Sequence, residues 1–549
     1  MKKMISKIKK MVKAAKPHEL AITFSLIHST LSYFYSSNFF HYNVDNALEK
    51  RNKLLISILL PVALFFIYWG IFIAIKKKQY HPFLKRSACY FIVLMVALLL
   101  VWPGIWRHDD MTIAVYAKEY VIEGWQHVLT SIFYMLSYRI IPFFSGVIIV
   151  QCAIISTITA YLYSELLNKI KKKNKVIKTL LWIPFLLPPI IDSALYPLRP
   201  IIFSYLLVLV IYLMIKYLRS RKLTWQKLLP LLFYIIICCT WRSEGIYLIV
   251  VSLLYFIYLS KHHKINLKLC ISSIIIIVCG FLTINSLQKS ISTVHDQNRY
   301  QLSGTVEVLA PLVRKAADEL ENNQELLNNI DKVVSVETII NNPTVRGEYI
   351  FWTKGAVREN FTEEEYKTYL KSLISLAIKY PKTTIKNRIK ELLATSAILP
   401  NHSNTIRDSS SYYDYPEDDT ARTFIDRGGR LMHPWNSEIR TAIVRLLEGR
   451  TLEDYYKTTL FYPIFWNLII PFIGILFAII NAIRKKKYPT AILLASILIK
   501  SAIVFITAPG QYHMYYLSEY LLGYILITYL ICTAIDQKNI NNNYKRSIK

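Results

Sequence analysis

The chain has 549 residues, of which 54% are hydrophobic, a mean hydropathy of +0.32 and a formal net charge of +30 at pH 7. Its apolar residues come in runs of about 20, the length of a membrane-spanning helix, which excludes an ordinary soluble globular protein of this size. Nucleic-acid binding is disfavoured as the source of the charge. About half of the 66 Lys and Arg residues lie in short acid-free clusters beside the apolar runs, a distribution typical of membrane orientation.

In chain order, the apolar runs predict an all-α polytopic membrane protein with about twelve transmembrane helices. Short basic loops stay in the cytoplasm. Placing every basic cluster there gives a topology without conflict, with both termini cytoplasmic in a multi-pass protein of the cell membrane. The predicted spans are 18–40, 53–75, 87–104, 142–165, 179–192, 200–215, 228–240, 243–260, 269–288, 459–483, 488–508 and 513–535.

The same topology predicts three domains. Residues 1–288 form an N-terminal membrane domain with nine spans and an outer loop at 105–141. Residues 289–457 form an extracytoplasmic domain of nearly balanced charge, which helical apolar spacing predicts to be mostly helical. Residues 458–549 form the last three spans and a cytoplasmic tail.

Two parts of the outer segments carry a finer prediction. The outer loop 105–141 mixes apolar and polar residues with few helix breakers, which favours one or two amphipathic helices on the outer membrane surface. Within the extracytoplasmic domain, residues 400–436 are rich in turn-forming residues and predict a loop.

The outer loop opens with the stretch WPGIWRHDDM, which places Asp109 and Asp110 at the end of the third span. A carboxyl group near an apolar boundary has a raised pKa, and a like-charged neighbour raises it further. That suits a general base which takes a proton from a hydroxyl group. The alternative is that one of the two caps a helix starting at Met111, a common role for Asp.

Arginines occur in two further outer turns. Arg199 follows Asp192 in DSALYPLRP, and Arg242 precedes Glu244 in WRSE. Arginine binds phosphate through two parallel hydrogen bonds, so both are candidates to hold a phosphate. Either could instead extend towards water at the membrane boundary, or pair with the nearby acid.

Two ionisable residues interrupt the last two spans. Lys500 and Glu519 lie at similar depth on either side of the turn near Gly510, so we expect their side chains to approach each other. Intramembrane charges are costly and are usually paired or functional. The pair is either structural, or Lys500 neutralises an anionic lipid headgroup while Glu519 supports it.

The sequence gives weaker indications of metal sites and of disulfide bonds. The acidic stretch YYDYPEDD, with Asp414, Glu417, Asp418 and Asp419, is either an exposed loop or a site for a hard cation. His295, His402 and His433 lack the spacing of metal ligands. The seven cysteines all fall in apolar runs, which is typical of small buried residues rather than a disulfide framework.

Taken in order, these features resemble the GT-C superfamily of integral membrane glycosyltransferases. The resemblance rests on PG followed by Asp109 and Asp110, then on the helical segment from Trp125 to Pro142. It continues with DSALYPLRPIIFSYLLVL, TWRSEGIYLIVV and YLKSLISLAIKYPKTTIKNRI, within residues 85–400. Residues 400–457 lie outside the resemblance.

The resemblance implies a bacterial enzyme that takes a sugar from a polyprenyl-phosphate carrier in the outer leaflet. It passes the sugar, with inversion, to a glycan or lipid acceptor of the cell envelope. The outer-loop Asp would be the base; the tandem motif leaves both Asp109 and Asp110 open, and the family position favours Asp110. Basic residues, here Arg199, Arg242 and Lys500, would hold the carrier phosphate. Some relatives use a divalent cation such as Mg²⁺ or Mn²⁺ and others none, so the metal stays open.

Two other classes of protein remain as alternatives. A lipid-linked glycan polymerase or ligase also has a large outer loop but relies on Arg or His within it. The candidates here are Arg407, Arg422, Arg427, Arg430 and His433. A flippase or transporter would need polar residues spread across the membrane midplane, whereas here they gather on the outer side.

Overall fold

A computed structural model describes residues 15–40, 46–171, 173–291, 297–399, 419–454 and 457–548. Within these ranges the regular elements are helices, and the β pairing consists of two isolated bridges, Val334 with Val357 and Arg450 with Thr458. The all-α prediction is therefore confirmed for the part of the chain that is described.

The first part of the described chain contains α1 Pro17–Tyr35, α2 Ala47–Lys76, α3 His81–Leu100, α4 His108–Lys118, α5 Val128–Ile140, α6 Gly146–Asn168, α7 Lys175–Leu180, α8 Ile183–Leu186, α9 Pro188–Ala194, α10 Arg199–Tyr217, α11 Trp225–Trp241, α12 Tyr247–Lys261 and α13 Leu267–Ile291. The residues between α13 and Tyr462 separate the first helices from the last ones, and we call them the inserted residues or the inserted domain. They contain α14 Gln297–Ala317, α15 Gln324–Asp331, α16 Val336–Asn341, α17 Gly347–Phe351, α18 Glu363–Lys379, α19 Pro381–Thr395, α20 Asp419–Gly428 and α21 Ser437–Leu447. The chain ends with α22 Tyr462–Phe465, α23 Ile469–Arg484, α24 Tyr488–Thr507 and α25 Leu517–Ile548.

Nine helices of the described chain are long and apolar enough to cross a membrane, or ten if a bent helix pair forms one span. The nine are built on α2, α3, α6, α10, α12, α13, α23, α24 and α25, and each corresponds to a predicted span. The pair Lys175–Leu186 and Pro188–Ala194, bent by 54°, corresponds to the predicted span 179–192. Helix α1 is not among the candidates, and α11 is shorter than a candidate span, so the total of twelve stays a prediction.

Burial separates central from peripheral helices. In the most apolar window of α10, 78% of the residues are buried, against 17% in α2 and in α13. The peripheral helices expose large apolar side chains such as Ile58 and Ile92. A bilayer of acyl chains would remove these side chains from water. The multi-pass membrane architecture therefore follows from composition and burial together.

The helix ends form two distinct surfaces. At one surface, the Lys171 N–H donates to Asp536 Oδ2 (3.0 Å) and the Leu223 N–H donates to the Lys264 carbonyl (3.0 Å). This surface carries the basic loops after α6, α10 and α12. The inserted residues pack at the opposite ends of the helices. We call that surface the domain end.

The inserted residues fall into two parts that pack differently. Helices α14 to α19 enclose a hydrophobic core of their own, which includes Leu309, Ile330 and Tyr369. Residues 419–447 instead join the core of the membrane part through side chains such as Phe424 and Val444.

The prediction that 400–436 is a loop is wrong over 419–432, where helix α20 and a following 3-10 turn form. Ala421 and Phe424 stand three residues apart on one face of α20, and both are buried. The Phe424 ring stacks on Phe144, with 4.6 Å between centroids, and tilts against Trp106 at the same distance. The burial of this face against the membrane part favours a helix despite the turn-forming composition.

The outer loop 105–141 contains two helices, α4 and α5, but they do not lie on a surface as predicted. Most residues of α5 are buried, including Arg139, and so are Met111 and Ile113 of α4. The reason is tertiary, because α20 covers α4 and the ends of the spans enclose α5.

Candidate active site at the domain end

A glycine sets the path of the chain into the acidic motif. Gly104 has a φ of +107°, and a Cβ there would come within 2.2 Å of Ile148 Cδ1. Glycine alone adopts this conformation without strain. The next residue, Ile105, donates its N–H to the Leu195 carbonyl (3.1 Å), which joins the segment to the turn after α9.

The acidic pair lies inside the first turn of α4. This helix begins at His108 and has Arg107 as its N-cap, so the alternative in which an aspartate caps a helix starting at Met111 is wrong. Asp109 is half-buried, whereas Asp110 is buried with 2% of its surface exposed. The two carboxyl groups leave the helix on different sides and therefore differ in burial, a difference that the sequence alone does not reveal.

The Asp110 carboxyl group is enclosed and only partly hydrogen-bonded. The Tyr134 hydroxyl lies 3.4 Å from Asp110 Oδ1 and 3.1 Å from the Pro197 carbonyl. Among the described residues, Asp110 Oδ2 has no hydrogen-bond partner. Burial and the adjacent Asp109 raise the pKa of Asp110 to about 8, against the lowering influence of Arg107 and Tyr134. This carboxyl group is therefore largely protonated at pH 7 and can exchange a proton close to neutrality.

Arg107 connects this carboxyl group to a small cavity at the domain end. The cavity has a volume of about 30 Å³, which is room for two or so water molecules. Its walls include Asp192, Tyr196, Trp466, Tyr512 and His513. The sequence predicted a role for Asp192; the other four wall residues and Arg107 were not singled out.

Two buried polar atoms at the cavity lack partners in the described part of the chain. They are Oδ1 of Asp192, which is 2% exposed, and Nε2 of His513, which is 3% exposed. Arg107 supplies a cation at the same wall, with its guanidinium 4.9 Å from the Tyr512 ring centroid and Nη1 3.3 Å from Met514 Sδ. Buried groups without hydrogen bonds usually mark a place for water or a ligand.

Arg199 lies at the domain end. It is half-buried at the first position of α10 and is not part of the cavity wall. Burial and the Arg199 charge lower the pKa of the adjacent His127 to about 4. His127 is therefore neutral at pH 7, and the positive charge at this place belongs to Arg199.

Arg242 forms the local ion pair that the sequence left open. Its Nε donates to Glu244 Oε1, both side chains are buried, and the guanidinium lies 5.2 Å from the Tyr515 ring centroid. A guanidinium enclosed in this way is less accessible to a phosphate than one at a cavity wall.

Lys500 and Glu519 meet as predicted. Lys500 Nζ lies 2.9 Å from Glu519 Oε2, and the two side chains are 1% and 0% exposed. The hydroxyls of Ser501 and Ser518 each donate to the same carboxylate at 2.7 Å. Lys500 is enclosed by its partners, which favours the structural role for the pair over direct contact with a lipid headgroup.

Residues 419–450 cover the acidic motif. His108 Nε2 lies 2.9 Å from Thr420 Oγ1, and Arg427 pairs with Glu119. The final contact is at the cavity, where the Tyr196 hydroxyl donates to Glu448 Oε1 at 3.5 Å. No local sequence signal identifies these residues, because every contact joins segments more than 250 positions apart.

The described residues contain no set of side chains that would support the predicted metal site. Within those residues, no group of three or more His, Cys, Asp and Glu side chains could hold a metal ion. Asp414, Glu417, Asp418 and Arg407 lie outside the described residues, as do His295 and His402, while Asp419 is exposed in the first turn of α20.

Comparison with known proteins does not assign a family. No protein-family model, no curated protein and no solved structure matches the chain.

Proposed function

We propose that the protein is a membrane glycosyltransferase that moves a sugar from a polyprenyl-phosphate carrier to a cell-envelope glycan or lipid, with Asp110 as the general base. The observation that carries the proposal is the Asp110 carboxyl group, buried at the domain end with a pKa of about 8 and one oxygen without a partner among the described residues. A buried carboxyl group of this kind is costly and is typical of functional sites.

In the proposed reaction, Asp110 takes the proton of the acceptor hydroxyl as its oxygen attacks the anomeric carbon of the sugar. The bond from that carbon to the carrier phosphate breaks, and the carrier phosphate leaves with the bonding electron pair. Attack on the face opposite the leaving group inverts the anomeric configuration. Positive charge builds on the sugar ring in the transition state, as it does when a glycosidic bond is cleaved.

The departing phosphate needs cations. Arg107, at the cavity wall, and the half-buried Arg199 are the best-placed arginines for this role, because guanidinium groups bind phosphate oxygens in pairs. Arg242 and Lys500, which are enclosed with Glu244 and Glu519, would instead hold the surrounding helices in register.

Substrate binding must enlarge the cavity, since about 30 Å³ cannot hold a sugar ring. The Tyr512 ring and Met514 lie against Arg107. We infer that these side chains move when the carrier phosphate approaches and that Arg107 then exchanges its contacts with them for contacts with phosphate.

The proposed orientation places the domain end outside the cell. Basic loops stay in the cytoplasm, and they occupy the opposite ends of the helices. The donor would then be a lipid of the outer leaflet, which also accounts for chemistry without a nucleotide-binding domain.

The test is genetic and chemical. The gene is deleted and complemented with wild type, Asp110→Asn or Asp109→Asn at equal membrane levels, and the sugars and linkages of the envelope glycans are determined. We expect one sugar branch to disappear in the deletion and in Asp110→Asn. Asp109→Asn, at the neighbouring half-buried position, is the matched control and should restore most of the branch.

Other outcomes would reject parts of the proposal. If both Asn variants restore the branch, Asp110 is not the base. If the deletion leaves every glycan unchanged, the proposed glycosyltransferase activity is rejected and the transporter alternative is favoured. Loss of polymer length rather than of a branch would favour the polymerase alternative, although Arg422 and Arg427 are in ion pairs with Asp419 and Glu119.

A further inference from the structure

Helices α18 and α19 of the inserted domain follow each other directly in the chain, and each exposes a pair of isoleucines. Ile374 and Ile378 stand one turn apart on α18, and Ile385 and Ile389 stand one turn apart on α19. Their exposed fractions run from 46% for Ile389 to 75% for Ile378. These side chains remain exposed although the domain has a well-formed core of its own.

Lysines flank these isoleucines without compensating acids. Lys371, Lys382, Lys386 and Lys390 are exposed, and none of them takes part in an ion pair within the described residues. We call these four lysines and the four isoleucines the Ile/Lys face. Between positions 366 and 398 the sequence has one acid, Glu391, and that residue is buried. The face is therefore strongly basic in a segment that is nearly neutral as a whole.

The part of the Ile/Lys face on α19 lies near the level at which a membrane span ends. Arg388 of α19 donates from Nη1 to the carbonyl of Ala508 (2.9 Å), the residue that follows the span α24. Gln511 Nε2 also donates to Glu391 Oε1 at 3.2 Å. Ile385 and Ile389 are within one turn of Arg388, which corresponds to about 5 Å along the helix axis. The tethered helix cannot move far from the end of α24.

We propose that the Ile/Lys face rests on the membrane surface at the domain end. The isoleucines enter the boundary between headgroups and acyl chains, and the lysines bind the phosphate groups of anionic lipids. Apolar side chains beside lysines are the composition of helices that lie in this boundary. A hydrated anionic wall polymer would match the lysines alone and would leave the isoleucines in water, so the membrane is the better partner.

This contact would hold the inserted domain over the end of the bundle. Each lysine close to an anionic surface strengthens binding by about fivefold. The inference does not depend on glycosyl transfer, because it concerns the position of the domain and not the chemistry of Asp110.

The test uses the full-length protein with the photo-crosslinking residue p-benzoylphenylalanine in place of Ile378. The side chain at this position is 75% exposed, so the replacement leaves the core intact. The control is the same residue in place of Ile340, which is 42% exposed on α16. Helix α16 packs beside Arg314, ten residues along α14 from Gly304, the residue that lies against Thr507 at the end of α24. A further probe in place of Ile480, on the span built on α23, reports lipid contact within the membrane.

After irradiation of native membranes, the mass of each adduct identifies what the probe touched. We expect phospholipid adducts at 378 and 480 and none at 340. In nanodiscs of mixed phosphatidylglycerol and phosphatidylcholine, the adduct at 378 should favour the anionic lipid. Lys386→Gln should lower that preference by about fivefold, whereas Lys354→Gln, an exposed lysine elsewhere in the domain, should not.

A lipid adduct at 480 without one at 378 would overturn the proposal. An adduct at 378 with a wall polymer or with a protein would also overturn it and would name the alternative partner. Equal lipid adducts at 378 and 340 would show that contact is not specific to the Ile/Lys face and would overturn the proposal.

Discussion

Replacing Asp110 by Asn should stabilise the protein while it abolishes the proposed activity. The wild-type carboxyl group is buried with a pKa of about 8, far above its usual 3.8. In the unfolded chain the group ionises freely above pH 4, so folding must take up a proton or bury a charge. An Asn amide is never charged, and its oxygen can still accept the Tyr134 hydroxyl.

The magnitude follows from the two pKa values. A group whose folded pKa is raised contributes stability that is complete below the unfolded pKa and is lost as pH rises towards the folded pKa. Each pKa unit corresponds to 1.36 kcal/mol. Between pH 3.8 and pH 7 the free energy of unfolding of the wild type therefore falls by about 4 kcal/mol relative to that of a variant with a neutral side chain. At pH 5 the loss is about 2 kcal/mol. The advantage of Asp110→Asn over wild type should therefore grow with pH.

The assay is thermal unfolding of detergent-purified protein at pH 5, 6 and 7. Asp109→Asn, which alters the half-buried neighbour, is the matched control and should show a much smaller change. We expect Asp110→Asn to have the higher midpoint at pH 7 and the difference to narrow at pH 5. If Asp110→Asn instead unfolds at a lower temperature at pH 7, the wild-type carboxylate is ionised and stabilising, and the assignment of a raised pKa is refuted.

Three further predictions follow from the same structure. Turnover should rise with pH and level off above about 8, because the proposed base acts when ionised; a decline over that range in a purified assay would argue against Asp110 as base. Lys500→Met leaves the buried Glu519 carboxylate without its partner and should cost about 3–5 kcal/mol, most of it recovered in a double variant with Glu519→Leu. A single variant as heat-stable as wild type would contradict this. Gly104→Ala should cost about 1–3 kcal/mol through backbone strain and the clash with Ile148, and an unchanged melting midpoint would show that the segment can adjust.

Local sequence was sufficient for features that depend on neighbouring residues or on the length of an apolar run. Runs of about 20 apolar residues predict spanning helices wherever they occur, and nine of the predicted spans are matched by helices that are long and apolar enough. The Lys500–Glu519 pair was also predictable, since a short turn between two antiparallel helices fixes which residues share a depth. In the same way, WRSE placed Arg242 and Glu244 close enough to pair.

The site could be predicted only in part. WPGIWRHDDM identified the segment that carries the buried Asp110 carboxyl group, and the boundary between apolar and charged residues gave the reason. It did not distinguish Asp109 from Asp110, because that choice depends on where α4 begins and on which side of the helix faces the protein. Arg107 is adjacent to the pair in sequence, yet its place at the cavity wall depends on Tyr512 and on other residues some 400 positions away.

The sequence by itself determined that the chain is helical, that it crosses a membrane repeatedly, and where its charges concentrate, because hydropathy and run length act locally. Tertiary structure alone decided that residues 419–432 fold into a helix, that this helix covers the acidic motif, and that Asp110 is the carboxyl group that becomes buried. The pKa of Asp110 follows from that burial. Desolvation depends on which distant side chains exclude water from a group, and no stretch of neighbouring residues specifies that.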